Sequence, residues 1–165
     1  MEFVYDRTQS DVARAAELNS RAGGWDTFTA DEKEFWLNQL VRGRYNETDT
    51  NRVERNTRTL ATLLASYGYN FDLTSKTDWA IDDFGTTELL ENLLSNVKAL
   101  AAGFTISPDA PSLPATMAKP TWQGANAIEK VQFEIERSAE LMSSVFLRCG
   151  TTYSGGPHMY IKNGG

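Results

Sequence analysis

The chain has 165 residues, 41% hydrophobic and 23% charged, which is globular rather than disordered composition, and its length fits one domain. Its 16 basic and 22 acidic residues leave a formal charge of -6, which argues against the basic face of a nucleic-acid binder or of a protein held on an anionic membrane. A single Cys and a single His exclude a disulfide framework, a CxxC site and a histidine metal cluster, no run of about 18 apolar residues spans a bilayer, and Met1–Asp6 lacks a signal-peptide pattern.

Phe3, Val4 and Tyr5 suit a short strand or an arm packed elsewhere. Ser10 is a candidate N-cap for a first helix carrying Val12, Ala15, Ala16 and Leu18, which Gly23-Gly24 ends. Thr29 and Glu32 form a capping box, and Phe35, Trp36, Leu37, Leu40 and Val41 give the second helix its apolar face up to Gly43. The third helix is predicted from Thr48-Asp49 to Gly68, with Val53, Leu60, Leu63, Leu64 and Tyr67 inward. Residues 69–74 alternate apolar and polar, the period of a half-buried strand.

After a polar connection holding Trp79, Ile81 and Phe84, the fourth helix is predicted over 86–102, with Leu89, Leu90, Leu93, Leu94, Val97 and Leu100 inward. Four prolines within 103–120 exclude helix there. Phe104, Ile106, Leu113 and Met117 are anchors for an ordered, wrapped loop, and a disordered linker is the alternative. The last helix is predicted from Thr121 to Leu147, with Ile128, Val131, Ile135, Leu141, Val145 and Phe146 inward. A Gly-rich tail follows, and its Met159, Tyr160 and Ile161 suit pairing with residues 3–5. The expected fold is mainly α: an antiparallel bundle of about five helices, with minor β at the termini or near residues 69–74.

The two halves share an order of features. Each has an aromatic-rich helix entry, and each later starts a long helix with Asn-x-aliphatic-Glu: Asn51-Arg52-Val53-Glu54 and Asn126-Ala127-Ile128-Glu129. Two pseudo-repeated hairpins, 9–68 and 77–149, account for this within a single domain 1–165, with extended arms at 1–8 and 150–165; chance similarity of two amphipathic hairpins is the alternative. Asn51 and Asn126 are read as local hydrogen-bonding residues at helix starts.

Chemistry has few candidates. Asp78, Asp82, Asp83 and Glu88 are the best carboxylate cluster for hydrolysis or a divalent cation, but acids just before a helix also favour its N-terminus electrostatically. Cys149 and His158 are the only groups that titrate near neutrality, and Cys149 reads as a buried small hydrophobe. No catalytic residue, metal site or cofactor is expected. Of Trp25, Trp36, Trp79 and Trp122, most are expected to staple loops to the bundle; Trp79 and Trp122 are the candidates for an exposed contact surface.

Several stretches then stand out in order: Val4-Tyr5-Asp6-Arg7-Thr8 with Asp11-Val12; Gly24-Trp25 before Thr29-Ala30-Asp31-Glu32-Lys33 and Trp36-Leu37; Tyr45-Asn46 and Asp49; Asn51-Arg52-Val53-Glu54 and Asn56; Lys76-Thr77-Asp78-Trp79; Asn96-Val97-Lys98-Ala99-Leu100; Asn126-Ala127-Ile128-Glu129; and Tyr153-Ser154-Gly155. In these the chain resembles a family of small helical structural proteins of tailed bacteriophages and prophages of Gram-positive gut bacteria. The resemblance implies a non-enzymatic virion protein of a tail, baseplate or fibre-like appendage, assembled in the host cytoplasm. Its partners would be further copies of itself (a homo-oligomer) or other virion proteins, with no nucleic acid and no membrane. A receptor- or host-glycan-binding module on the virion is the alternative. The interaction candidates are Phe3, Val4, Tyr5, Trp79, Trp122, Tyr153, Met159, Tyr160 and Ile161.

Overall fold

The computed structural model describes residues 1–37, 42–43, 45–80, 83 and 86–151, with side chains described as far as Val145. It is mainly helical: α1 (Gln9–Ser20), a 3-10 turn (Gly24–Thr27), α2 (Ala30–Leu37), α3 (Glu47–Ala65), α4 (Thr87–Gly103) and α5 (Trp122–Thr151). Among the described residues there is no β-strand.

Local chemistry explains the helix starts. Three of them are capping boxes, in which a side-chain oxygen takes the N3 amide and the N3 carboxylate takes the cap's own N–H. Thr8 and Asp11 do this for α1, Thr29 and Glu32 for α2, and Asn46 and Asp49 for α3. The first therefore starts two residues earlier than expected, and the third one residue earlier. Gly68 closes the turn after α3 at φ 92°, a conformation in which a side chain is strained.

Residues 69–74 have the predicted alternation but no ladder. Tyr69, Phe71 and Leu73 pack on the core, while Asn70, Asp72 and Thr74 face solvent. The expected minor β there is thus an extended segment bonded to helices rather than to a strand. The proline-rich loop is likewise packed down, with Phe104 and Met117 buried. The Glu91 carboxylate accepts the Met117 N–H at 2.6 Å and the Thr116 hydroxyl, and Lys98 donates to the Ala115 carbonyl at 3.0 Å.

The core belongs to α3, α4 and α5, each of which touches the other two. Their contacts fix the direction. Arg52 meets Glu129 and, further along both helices, Thr57 meets Gln132, so α3 and α5 run the same way. Glu54 and Asn96 share a level through Ser75 and Thr74, while Tyr69, just past α3, stacks edge-on to Phe104, just past α4. So α4 runs that way too, which differs from the antiparallel packing expected. An extended chain advances about 3.3 Å per residue against 1.5 Å in a helix, so 66–86 and 104–121 are long enough to run back along a whole helix.

Five sets of buried residues repeat at matching positions of the three helices, the last including Phe104 just past α4: Thr50, Leu90 and Ala125; Val53, Leu93 and Ile128; Thr57, Val97 and Gln132; Leu60, Leu100 and Ile135; Leu64, Phe104 and Ala139. The steps alternate between three and four residues, as along a coiled-coil seam. Each fully buried Leu or Ile in these sets contributes about 1.5–3 kcal/mol. In the most polar set the Gln132 amide donates to Thr57 Oγ1 at 2.8 Å and to the Val53 carbonyl at 2.9 Å. On α5 the buried stripe continues through Ala139 to the partly buried Met142, leaving Leu141 and Val145 each 59% exposed instead of inward.

Candidate functional site: three clasped arms

Each of the three core helices holds an extended segment that runs antiparallel to it. The first arm is residues 1–8, the second 72–80 and the third 111–118. On α5, Asn126 grips the main chain of Arg7 from both sides: its amide donates to the Arg7 carbonyl at 2.8 Å, and its oxygen accepts the Arg7 N–H at 3.2 Å. On α3, Asn51 grips Trp79 in the same way, at 3.1 and 2.8 Å. Both asparagines are the fifth residue of their helix. Neither bond is local, contrary to the helix-start role expected from sequence.

The match continues one helical turn on. Glu129 accepts the N–H of Val4 at 2.7 Å, three residues before Arg7, and Glu54 accepts the N–H of Lys76, three before Trp79. The neighbouring helix completes each clasp through a carbonyl five residues before the gripped one. Asn56 of α3 donates to Glu2 and Asn96 of α4 to Thr74, both at 2.7 Å. Just after the gripped residue one side-chain bond recurs: the Thr8 N–H reaches Asp11 at 2.7 Å and the Ala80 N–H reaches Asp83 at 2.8 Å.

The third arm follows the same plan with other chemistry. Glu91 on α4 stands where Asn51 and Asn126 stand, and takes the Met117 N–H. Three residues before Met117 is Pro114, which has no N–H, and the matching helix position is Leu94 instead of a glutamate. The repeat is therefore three arm-and-helix units, in place of the two hairpins read from sequence. Residues 9–45, with α1 and α2, are an insertion between the first arm and its helix.

The first clasp is ionic. The Arg7 guanidinium, 3% exposed, lies 2.8 Å from Asp49 and 3.0 Å from Glu129; Arg52 lies 2.6 Å from Asp49 and 2.8 Å from Glu129. Two cations and two anions alternate, which is what lets charge remain buried. Tyr45 lies under Arg7, 5.8 Å from ring centre to guanidinium, and burial beside Glu129 and Asp49 pushes its phenol well above the ordinary range. The second clasp has one carboxylate, Glu54, raised by burial against bonds from Ser75, Lys76 and Asn96 that lower it.

The sequence candidates fall in different places. Phe3 meets Phe133 edge-on at 5.8 Å, Tyr5 meets the same ring at 5.6 Å, and Val4 is half-buried between them. Trp122 is half-buried and donates to Gln9 at 3.1 Å. Tyr5 and Trp122 line one open hollow of about 280 Å³ with Gln123, Asn126 and Lys130. Trp79 is 4% exposed, far too buried for a contact surface. Tyr153, Met159, Tyr160, Ile161, Asp82 and His158, and the Cys149 side chain, lie outside the described residues. Of the carboxylate cluster, Asp78 and Asp83 share Lys76, at 2.9 and 3.3 Å. Among the described residues no three His, Cys, Asp or Glu side chains are grouped to hold a metal ion, and no helix is long and apolar enough to cross a membrane.

No protein-family model, curated protein or solved structure matches this chain. Arg7, Asp49, Arg52 and Glu129 were not singled out as site residues from sequence. The signal that points to them is the repeated Asn-x-aliphatic-Glu, read as a main-chain grip rather than as a helix start.

Proposed function

We propose that this chain is a non-enzymatic structural protein of a tailed-phage particle, a tail, baseplate or appendage component joined to its neighbours by protein–protein contacts. The motif resemblance motivates the particle. The observation that carries the assembly role is the uncovered apolar surface: Leu141 and Val145, four residues apart on α5, are each 59% exposed, and Phe35 and Leu37 on α2 are 53% and 68% exposed. Leu141 and Val145 share one face of α5, and contiguous exposed apolar surface marks an interaction site. The strongest polar chemistry, by contrast, is consumed within the chain by the clasps.

Light scattering of the purified chain across concentrations tests this. A defined oligomer is expected, and Leu141→Glu with Val145→Glu should lower its mass while leaving helicity unchanged. A strict monomer at high concentration overturns self-assembly. The hollow between Tyr5 and Trp122 favours a second reading, a glycan platform, because two aromatic side chains line it together with the amide of Gln123. Quenching of tryptophan fluorescence by host wall polysaccharide, lost in Trp122→Phe, would support it.

A further inference from the structure

The second and third arms each dock on the helix that precedes them in the chain, α3 and α4. For the first arm the preceding helix in the cycle is α5, and its docking there alone closes three units into a ring. Nothing in that contact requires α5 to belong to the same chain. The grip reads main chain: the Arg7 N–H and carbonyl, the Val4 N–H and the Glu2 carbonyl. The tether also differs. The second and third arms lead into their own helices within a few residues, whereas residues 9–45 separate the first arm from α3. Among the described residues α1 and α2 have few contacts with the three core helices, and the insertion meets them at its two ends, where Gln9 accepts from Trp122 and Tyr45 packs on the core ahead of α3.

We propose that in the assembled state the first arm occupies the Asn126–Glu129 clasp of a second copy, and so on from copy to copy. The same unit-to-unit step that builds the chain's interior then continues between chains. Such a contact is heterologous, head to tail, and gives a ring or a filament. Contacts made within one chain are replaced by identical ones between chains, so concentration decides between them: closure on the same chain when dilute, exchange when copies are crowded. This rests on the assembly role proposed above and names its joint.

The test uses the full wild-type chain. Equal amounts of unlabelled and 15N-labelled protein are unfolded together in urea, refolded at high concentration and separated by size. Each fraction is treated with a zero-length carbodiimide cross-linker. The Met1 amino group lies 3.1 Å from the Glu136 carboxylate when the arm is docked, so these two groups couple. Mass spectrometry of the Met1–Glu136 peptide pair reads whose arm is in whose clasp. Exchange predicts that about half of the pairs in the oligomer join one light and one heavy peptide, and that pairs in the monomer are all of one isotope. An oligomer whose pairs are all of one isotope overturns the exchange and leaves the assembly role standing. A monomer at every concentration, again with unmixed pairs, overturns both.

Discussion

The clasps on α5 and α3 hold equivalent pieces of chain by equivalent main-chain bonds, yet one is built on four charges and the other on one. At the first, Arg7 and Arg52 share Asp49 and Glu129; at the second, the residue matching Arg7 is Trp79, buried in the apolar core, and Glu54 takes its bonds from neutral donors, with Arg58 acting on it only through its field. The main-chain grip therefore does not depend on what the gripped side chain is. The side chain decides a separate matter, whether the clasp is tied to its surroundings by charge or by apolar packing. A buried charge array adds little net stability but is costly to break in part, so the first clasp accepts only its correct occupant.

The largest effect expected from this difference comes from removing the shared carboxylate. Glu129→Ala leaves Arg7, Arg52 and the Val4 N–H facing Asp49 alone, and should cost about 3–5 kcal/mol in urea unfolding. Glu54→Ala strands the Ser75 hydroxyl and the Lys76 N–H but no buried opposite charge, and should cost about 1–3 kcal/mol. Equal costs would show that charge is not what separates the two sites. Next come the asparagines. Asn126→Ala and Asn51→Ala each orphan one N–H and one carbonyl, and both should cost about 1–3 kcal/mol. Near-equality is expected here, because the two grips are the same. A large gap would break the equivalence of the arms.

The pH dependence sharpens the contrast. Burial raises the Glu54 pKa above its unfolded value, so the native state binds this proton more tightly. Its contribution to stability is then fully present below the ordinary glutamate pKa and is lost as pH rises through the folded pKa. The Glu54 contribution should fall over that interval, so the difference between wild type and Glu54→Gln should change with pH there and level off above it. A difference that is flat with pH would mean that Glu54 titrates as it does unfolded.

Much of the helical framework was legible because its signals are local. The Thr29–Glu32 box, the Leu periodicity of α4 and the alternation of residues 69–74 all act within a few residues. The direction of packing was not legible. An alternating segment implies an edge to pair with, and here that edge is a helix presenting Asn and Glu, set by residues dozens of positions away. Leu141 and Val145 misled for the same reason: the apolar stripe of α5 extends past the level where α3 and α4 cover it. Asn51 and Asn126 were visible as a repeated pattern, but a helix-start asparagine ordinarily serves its own helix. Only the geometry shows the side chain turned outward to another segment.

The smallest effect concerns the third arm, where an absence should behave as a matched pair. Pro114 offers no N–H, and Leu94, 1% exposed, replaces the glutamate that would have taken it. Pro114→Ala should cost about 0.4–1 kcal/mol from the freer unfolded chain alone. It also creates an N–H with no acceptor, so the measured loss should exceed that range. Leu94→Gln by itself buries an amide opposite a residue with nothing to donate, and should be the more damaging single change. Combined with Pro114→Ala, its side-chain oxygen meets a new N–H, as Glu54 meets that of Lys76. The double variant should then be more stable than the two single losses predict, by about 0.5–1 kcal/mol in a double-mutant cycle. Strict additivity would place Leu94 and Pro114 out of register with the other two arms and reduce the repeat from three units to two.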